Sequence, residues 1–131
     1  MIRPQIVPYG PQWQAGLAAM VAQAEPEWAA LAELEWNPLL TFVAVWKGRV
    51  VGFVAGYAGQ PVGILDHLVV APDVRGRGVG VALWRAMIRY LREVAGVQRI
   101  RFTTHNPSVV LMLQREGFST CGYGATMEGV Y

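Results

Sequence analysis

The chain has one cysteine, Cys121, one lysine, Lys47, and no long apolar run. A single cysteine cannot close an internal disulfide, which fits a reducing compartment. The longest apolar stretches are about 6 to 8 residues, far short of the ~20 that a membrane-spanning helix needs. No charged segment followed by an apolar one opens the chain, so the expected location is cytoplasmic, without membrane contact. Charge is sparse as well. Only 15% of residues are charged, and the net +2 arises from 11 basic against 9 acidic residues with no basic run. A nucleic-acid-binding surface calls for a denser basic stripe with interleaved aromatics. The pI of about 9.0 is all that speaks for one, so no nucleic acid partner is expected, and no metal.

What the chain has in plenty is core material. Hydrophobic residues make up 53% of 131, enough for one domain, residues 1–131, to fold around its own core. Residues 2–7 read as a first strand. Pro11 opens a helix to about residue 24, with Trp13, Leu17, Met20 and Val21 at helical spacing. Residues 27–36 read as a second, shorter helix containing Trp28, Leu31 and Leu34. The pattern then changes to strands at 40–46 and 50–57, joined by the tight turn Lys47-Gly48-Arg49, and a third at 62–70. From about 78 to 95 the helical signal is strong, with Leu83, Met87, Leu91 and Val94 on one face and Arg85, Arg89 and Arg92 on another. Residues 98–103 form a strand parallel to the third, because a crossover helix separates the two. Asn106-Pro107 starts a last helix that Gly117 stops. The tail has room for two short strands.

Between the third strand and the long helix lies Arg75-Gly76-Arg77-Gly78-Val79-Gly80. Three glycines leave backbone N–H groups uncovered by side chains, and with the first helical turn they form an anion-binding nest at a positive dipole end. Arg75 and Arg77 add full charge. Two familiar phosphate loops are excluded: a Walker loop lacks its Lys-Ser/Thr pair here, and the dinucleotide fingerprint fails because residue 81 is Val. A tight connection whose glycines only satisfy geometry is the plain alternative.

The turn, with Asp66-His67-Leu68-Val69-Val70 before it and Ala82-Leu83 after it, resembles the acyl-CoA-binding signature of the GNAT N-acetyltransferase superfamily, Arg/Gln-x-x-Gly-x-Gly/Ala. Asn106, Met112 and Gly117-Phe118 resemble that family's Asn…Leu-Tyr-x-x-x-Gly-Phe helix. The element order agrees along nearly the whole chain. The resemblance implies an α/β fold of the α+β type: a mixed, mostly antiparallel sheet with a splayed parallel strand pair and flanking helices. It implies an enzyme that passes an acetyl group from acetyl-CoA to a primary amine of a small molecule or peptide, by direct attack in a ternary complex. Amides of Arg75, Gly76, Arg77, Gly78, Val79, Gly80 and Val81 would bind the diphosphate. Leu68 and Val70 would offer backbone groups to pantetheine, and the N–H of Val69 or Val70 would polarise the thioester carbonyl. Asn106 would contact pantetheine, cap its helix, or both. A homodimer is also implied.

An alkyl amine with a pKa near ~10 is mostly protonated at neutral pH, so a base must take its proton. Asp66 is the first candidate and His67 the second, the latter if a local bulge turns it inward; the alternatives are an ion-paired carboxylate and a structural imidazole. His105 is a weaker candidate. Leu113 stands where the family commonly has a Tyr that protonates the leaving thiolate, and Ser108 and Tyr123 are the substitutes at hand. That departure keeps open a CoA-binding regulatory module without turnover. Glu27, Glu33 and Glu35 would border the acceptor site or form a solvated face, and the five tryptophans read mostly as core.

Overall fold

A computed structural model describes residues 1–26, 40–59, 62–104, 106–120 and 126–130. The elements run β1 (Gln5–Pro8), a 3-10 turn (Pro11–Trp13), α1 (Gln14–Ala24), β2 (Thr41–Trp46), β3 (Arg49–Gly59), β4 (Val62–Val70), a second 3-10 turn (Pro72–Val74), α2 (Val79–Glu93), β5 (Arg99–Thr103), α3 (Pro107–Arg115), β6 (Ser119–Thr120) and β7 (Thr126–Val130). The expected helix at 27–36 lies outside the described residues. The chain divides into two compact units, Met1–Ala55 with His67–Met87, and Gly56–Asp66 with Ile88–Tyr131. β3, β4 and α2 pass through both.

In the first unit the strand order is β1-β2-β3-β4. The turn between β2 and β3 puts both central residues at positive φ, Lys47 at 53° and Gly48 at 75°, the geometry that matches strand twist in a two-residue hairpin. Lys47 is held there with its Nζ 4.5 Å from the Trp46 ring centre. Ala44 pairs with Gly52 but Val45 with Val50, so Val51 is the extra residue of a bulge. The bulge leaves the Val51 carbonyl to accept from Ala71 N at 2.8 Å. Leu17, Met20 and Val21 of α1, Val43 and Ala44 of β2, Phe53 and Val54 of β3, and Leu83, Trp84 and Met87 of α2 are buried. Each large apolar side chain contributes about 1.5–3 kcal/mol by leaving water. The first strand begins three residues later than its sequence pattern predicts. Gln5 to Pro8 pair with β2, whereas Ile2 is engaged with Arg77.

In the second unit the order is β4-β5-β7-β6. Residues Val62 to Leu65 run parallel to Arg99 to Phe102, and β7 is antiparallel to both β5 and β6. The fold is thus mixed α+β, mostly antiparallel with a parallel pair. Leu65, Leu91, Ile100, Leu113 and Phe118 form the core here. Gly129 has no room for a side chain, since a Cβ would lie 2.7 Å from the Phe118 ring. α3 starts as its sequence predicts. Asn106 Oδ1 accepts from Ser108 N at 2.9 Å, with Pro107 in the first turn. At its far end Gly117 sits at φ 91° and Phe118 N donates to Leu113 O at 2.9 Å, a glycine stop closed by a six-to-one hydrogen bond. Among the described residues no helix is long and apolar enough to cross a membrane.

Candidate functional site

The glycine turn is built from β4 forward. Ala71 N ties the end of the strand to β3, and Val74 N donates to Ala71 O at 3.1 Å, closing the short 3-10 turn over the buried Val74 side chain. Arg75 continues in extended conformation, and its Nε reaches back to Val70 O at 3.1 Å. Gly76 and Gly78 then take φ of 76° and 89°, a region that a residue with a Cβ enters only at a cost. Nothing stands within 4 Å of where a Cβ on Gly76 would be, so that side of the turn is open. Ala82 N donates to Gly78 O at 3.1 Å, which begins α2.

The consequence is a row of main-chain donors. Among the described residues, no backbone carbonyl accepts from the N–H groups of Gly76, Arg77, Gly78, Val79, Gly80 or Val81. The first-turn amides of a helix always lack an internal partner, and they carry the positive end of its dipole. Here the glycines extend that row backwards into the turn. Arg75 and Arg77 are exposed beside it.

Four residues that sequence reasoning missed surround the turn and the helix it opens. Ile2 N donates to Arg77 O at 3.1 Å. Arg49 Nη2 donates to Asp73 Oδ2 at 2.6 Å, and that guanidinium, ahead of the weaker pull of Arg77, holds the Asp73 carboxyl below its usual value. Gly52 lets α2 approach β3: a Cβ there would lie 3.0 Å from Leu83 Cδ1, 3.2 Å from Val79 Cγ1 and 2.9 Å from Val69 O. None has a local signature. Ile2 acts through its main chain, and Arg49 and Asp73 are 24 residues apart.

Of the β4 candidates, Val69 is buried, and His67, Leu68 and Val70 are half-buried. His67 stacks on Phe53, ring centres 6.3 Å apart and planes at 24°, with its Nδ1 out of solvent contact. Phe53 follows Gly52, whose side-chain direction is toward Val79 and Leu83. Alternation therefore gives Phe53, and His67 with it, the face of this unit turned away from α2. The carbonyl of Val70, expected to serve pantetheine, already accepts one bond from Arg75.

Asp66 and Asn106 belong to the second unit. Asp66 follows the last pair of the parallel ladder, Leu65↔Phe102, and β4 runs on from there to Val70. Asn106 is a cap, its Oδ1 committed to Ser108 and its N–H to Thr104 Oγ1 at 3.1 Å; the amide Nδ2 is the end a ligand can meet. Leu113 is 0% exposed, a core residue. Trp84 is core too, whereas Trp13 and Trp46 are half-buried. Arg85, Arg89 and Arg92 are exposed, with Arg89 3.9 Å from Glu93. His105, Tyr123, Cys121, Trp28, Trp36, Glu27, Glu33 and Glu35 lie outside the described residues.

Sequence matching agrees with this turn and this element order: the chain belongs to the Acetyltransferase (GNAT) family, whose model matches residues 11–118. Among individual proteins, the chain is 44% identical, over an alignment 78 residues long that covers 55% of this chain, to a mycothiol acetyltransferase of Propionibacterium freudenreichii subsp. shermanii. That stretch is 25% of the relative, so the chain spans about a quarter of the length of the curated protein it matches. In fold it is similar to the PaiA N-acetyltransferase of Thermoplasma acidophilum in complex with coenzyme A, at TM-score 0.82 and 14% identity over 99% of this chain and 100% of that one. It is similar also to Ard1 of Thermoplasma volcanium, at TM-score 0.75 and 19% identity over 98% of each chain. A third likeness is to the ribosomal-protein-S18-alanine N-acetyltransferase of Escherichia coli, at 0.73 and 16% over 96% and 90%. At such identities the likeness is one of fold.

Proposed function

We propose that this protein is an acetyl-CoA-dependent N-acetyltransferase acting on a primary amine of a small molecule or peptide. The observation that carries the reading is the row of N–H groups from Gly76 to Val81 from which, among the described residues, no backbone carbonyl accepts. A diphosphate satisfies several such donors at once, and glycines at 76 and 78 let it come close. Coenzyme A fits that donor set, and the mycothiol acetyltransferase relative and the coenzyme A-bound fold neighbour point the same way.

In this reading Gly76 to Val81 hold the diphosphate, and Arg75 and Arg77 add charge. The main chain of Leu68 to Val70 aligns the pantetheine arm, and the N–H of Val69 or Val70 polarises the thioester carbonyl. Asn106 contributes its amide. The bound thioester supplies the acetyl group: an amine nitrogen bonds to its carbonyl carbon, the C–S bond breaks, and the amine's surplus proton passes to a base. Asp66 is that base, with His67 second. Leu113 has no proton to give, so the thiolate, with a conjugate-acid pKa near ~8.5, leaves unaided or takes a proton from water.

The same leucine motivates the second reading, a coenzyme A-binding module without turnover. One experiment separates the two. Acetyl-CoA in excess raises the melting temperature under both, and a panel of primary amines then releases free thiol only under the first. No thermal response to acetyl-CoA would sink both.

A further inference from the structure

The ion pair between Arg49 and Asp73 sits at the entrance to the glycine turn. Asp73 lies on the 3-10 turn Pro72–Val74, two residues before Arg75. A carboxylate at that place works against an anion site. It is half-exposed, and it is close enough to Arg77 for that guanidinium to help hold its proton off. Arg49 comes from the first residue of β3, delivered by the hairpin turn at Lys47 and Gly48. It meets Asp73 Oδ2 at 2.6 Å while its side chain stays 50% exposed. Exposed pairs of this kind contribute little to folding, so stability gives no reason for the contact. The potential at the turn does.

We infer that Arg49 is a positioning and charge-balancing residue for the anionic cosubstrate: it neutralises Asp73, so that the amides and arginines of the turn meet the phosphates without a competing negative charge. This rests on the reading that the turn binds coenzyme A. A mere structural clip loses function whichever partner is removed. A charge balance has opposite signs for the two removals. Without Arg49 the bare carboxylate repels the phosphates. Without Asp73 the released guanidinium adds to the attraction.

The test is calorimetric titration of coenzyme A into the full chain at low ionic strength. The proteins are the unaltered chain, Arg49→Gln, Asp73→Asn and the double variant. Affinity is expected to fall roughly threefold to tenfold in Arg49→Gln, the scale of one unit charge several ångströms away near a protein surface. It is expected to rise in Asp73→Asn and to return within about twofold of the unaltered chain in the double variant. Both single effects shrink in about 0.5 M salt, where screening lengths fall to a few ångströms. Weakening in both single variants, or no change in either, overturns the inference while coenzyme A binding by the unaltered chain stands. Absence of binding by the unaltered chain overturns the cosubstrate reading, and this inference with it. Urea midpoints measured alongside are expected to shift only slightly, as for an exposed ion pair; a large shift in both single variants marks a clip.

Discussion

The main-chain N–H of Ile2 donates to the carbonyl of Arg77 at 3.1 Å, and the Met1 side chain lies 3.2 Å from where a Cβ on Gly78 would be. A trans peptide points its C=O and the following N–H in opposite directions. Holding the Arg77 carbonyl toward Ile2 therefore turns the Gly78 N–H away from Ile2. Ile2→Pro removes the donor, whereas Ile2→Ala keeps it. The proline variant is expected to bind coenzyme A about threefold to tenfold more weakly, the worth of about one hydrogen bond of ~0.5–1.5 kcal/mol. The alanine variant should match the unaltered chain in the same titration.

Gly76 separates charge from backbone strain. It sits at φ 76° with open space beyond, and Asn and Asp are the side chains that best tolerate that conformation. Gly76→Asn is expected to retain most coenzyme A affinity. Gly76→Asp, nearly identical in shape, should lose at least about tenfold, because its carboxylate faces the phosphates at short range. Equal affinity in the two variants would mean that the anion binds elsewhere.

Asp66→Asn is expected to lower turnover about 10²- to 10⁴-fold, the usual contribution of a positioned base, with coenzyme A affinity nearly intact. The acid limb of the pH–rate profile should disappear with the carboxylate. If the limb survives in Asp66→Asn and vanishes in His67→Gln, the imidazole is the base.

Asp73 also predicts a pH effect on stability. Its folded pKa lies below the ordinary 3.8, chiefly because it accepts a hydrogen bond from Arg49. A lowered folded value stabilises the native state above the unfolded pKa, and that contribution is lost as pH falls through the folded one. The melting temperature of the unaltered chain should fall somewhat more steeply than that of Asp73→Asn as pH drops below about 4. Parallel curves would dismiss the effect.

At position 113, restoring a hydroxyl does not restore an acid. Leu113 has no exposed surface, and forcing a phenol into a close-packed core typically costs 1–3 kcal/mol or more. Leu113→Tyr is expected to lower the urea midpoint without raising turnover. Leu113→Met, nearly equal in volume, should cost about 1 kcal/mol or less.

The elements with strong periodicity were legible in the sequence. Leu83, Met87 and Leu91 face the core as their spacing requires, whereas Val94, read on the same face, lies just past the end of α2 and is exposed; Asn106-Pro107 and Gly117 mark the ends of α3 by local chemistry alone. The glycine turn was legible for the same reason, since positive φ and bare amides are written in residue identity. What surrounds the turn was not. Ile2 contributes an N–H that every residue except proline carries, and Arg49 reaches Asp73 through a fold that local pattern does not encode. The start of β1 was misjudged on similar grounds: Ile2 has the composition of a strand residue, but its hydrogen bond goes to a distant loop. The acceptor side was legible only through resemblance, and several of its candidates lie outside the described residues.

At Gly52 the sheet offers α2 a bare backbone, and the first turn of the helix settles onto it through Val79 and Leu83. A single methyl group there would act as a wedge beneath the helix start, tilting the very amides that face outward. Under the proposed function, the grip on the cosubstrate would thus depend partly on Gly52, a residue that sits beneath the helix start rather than in the turn.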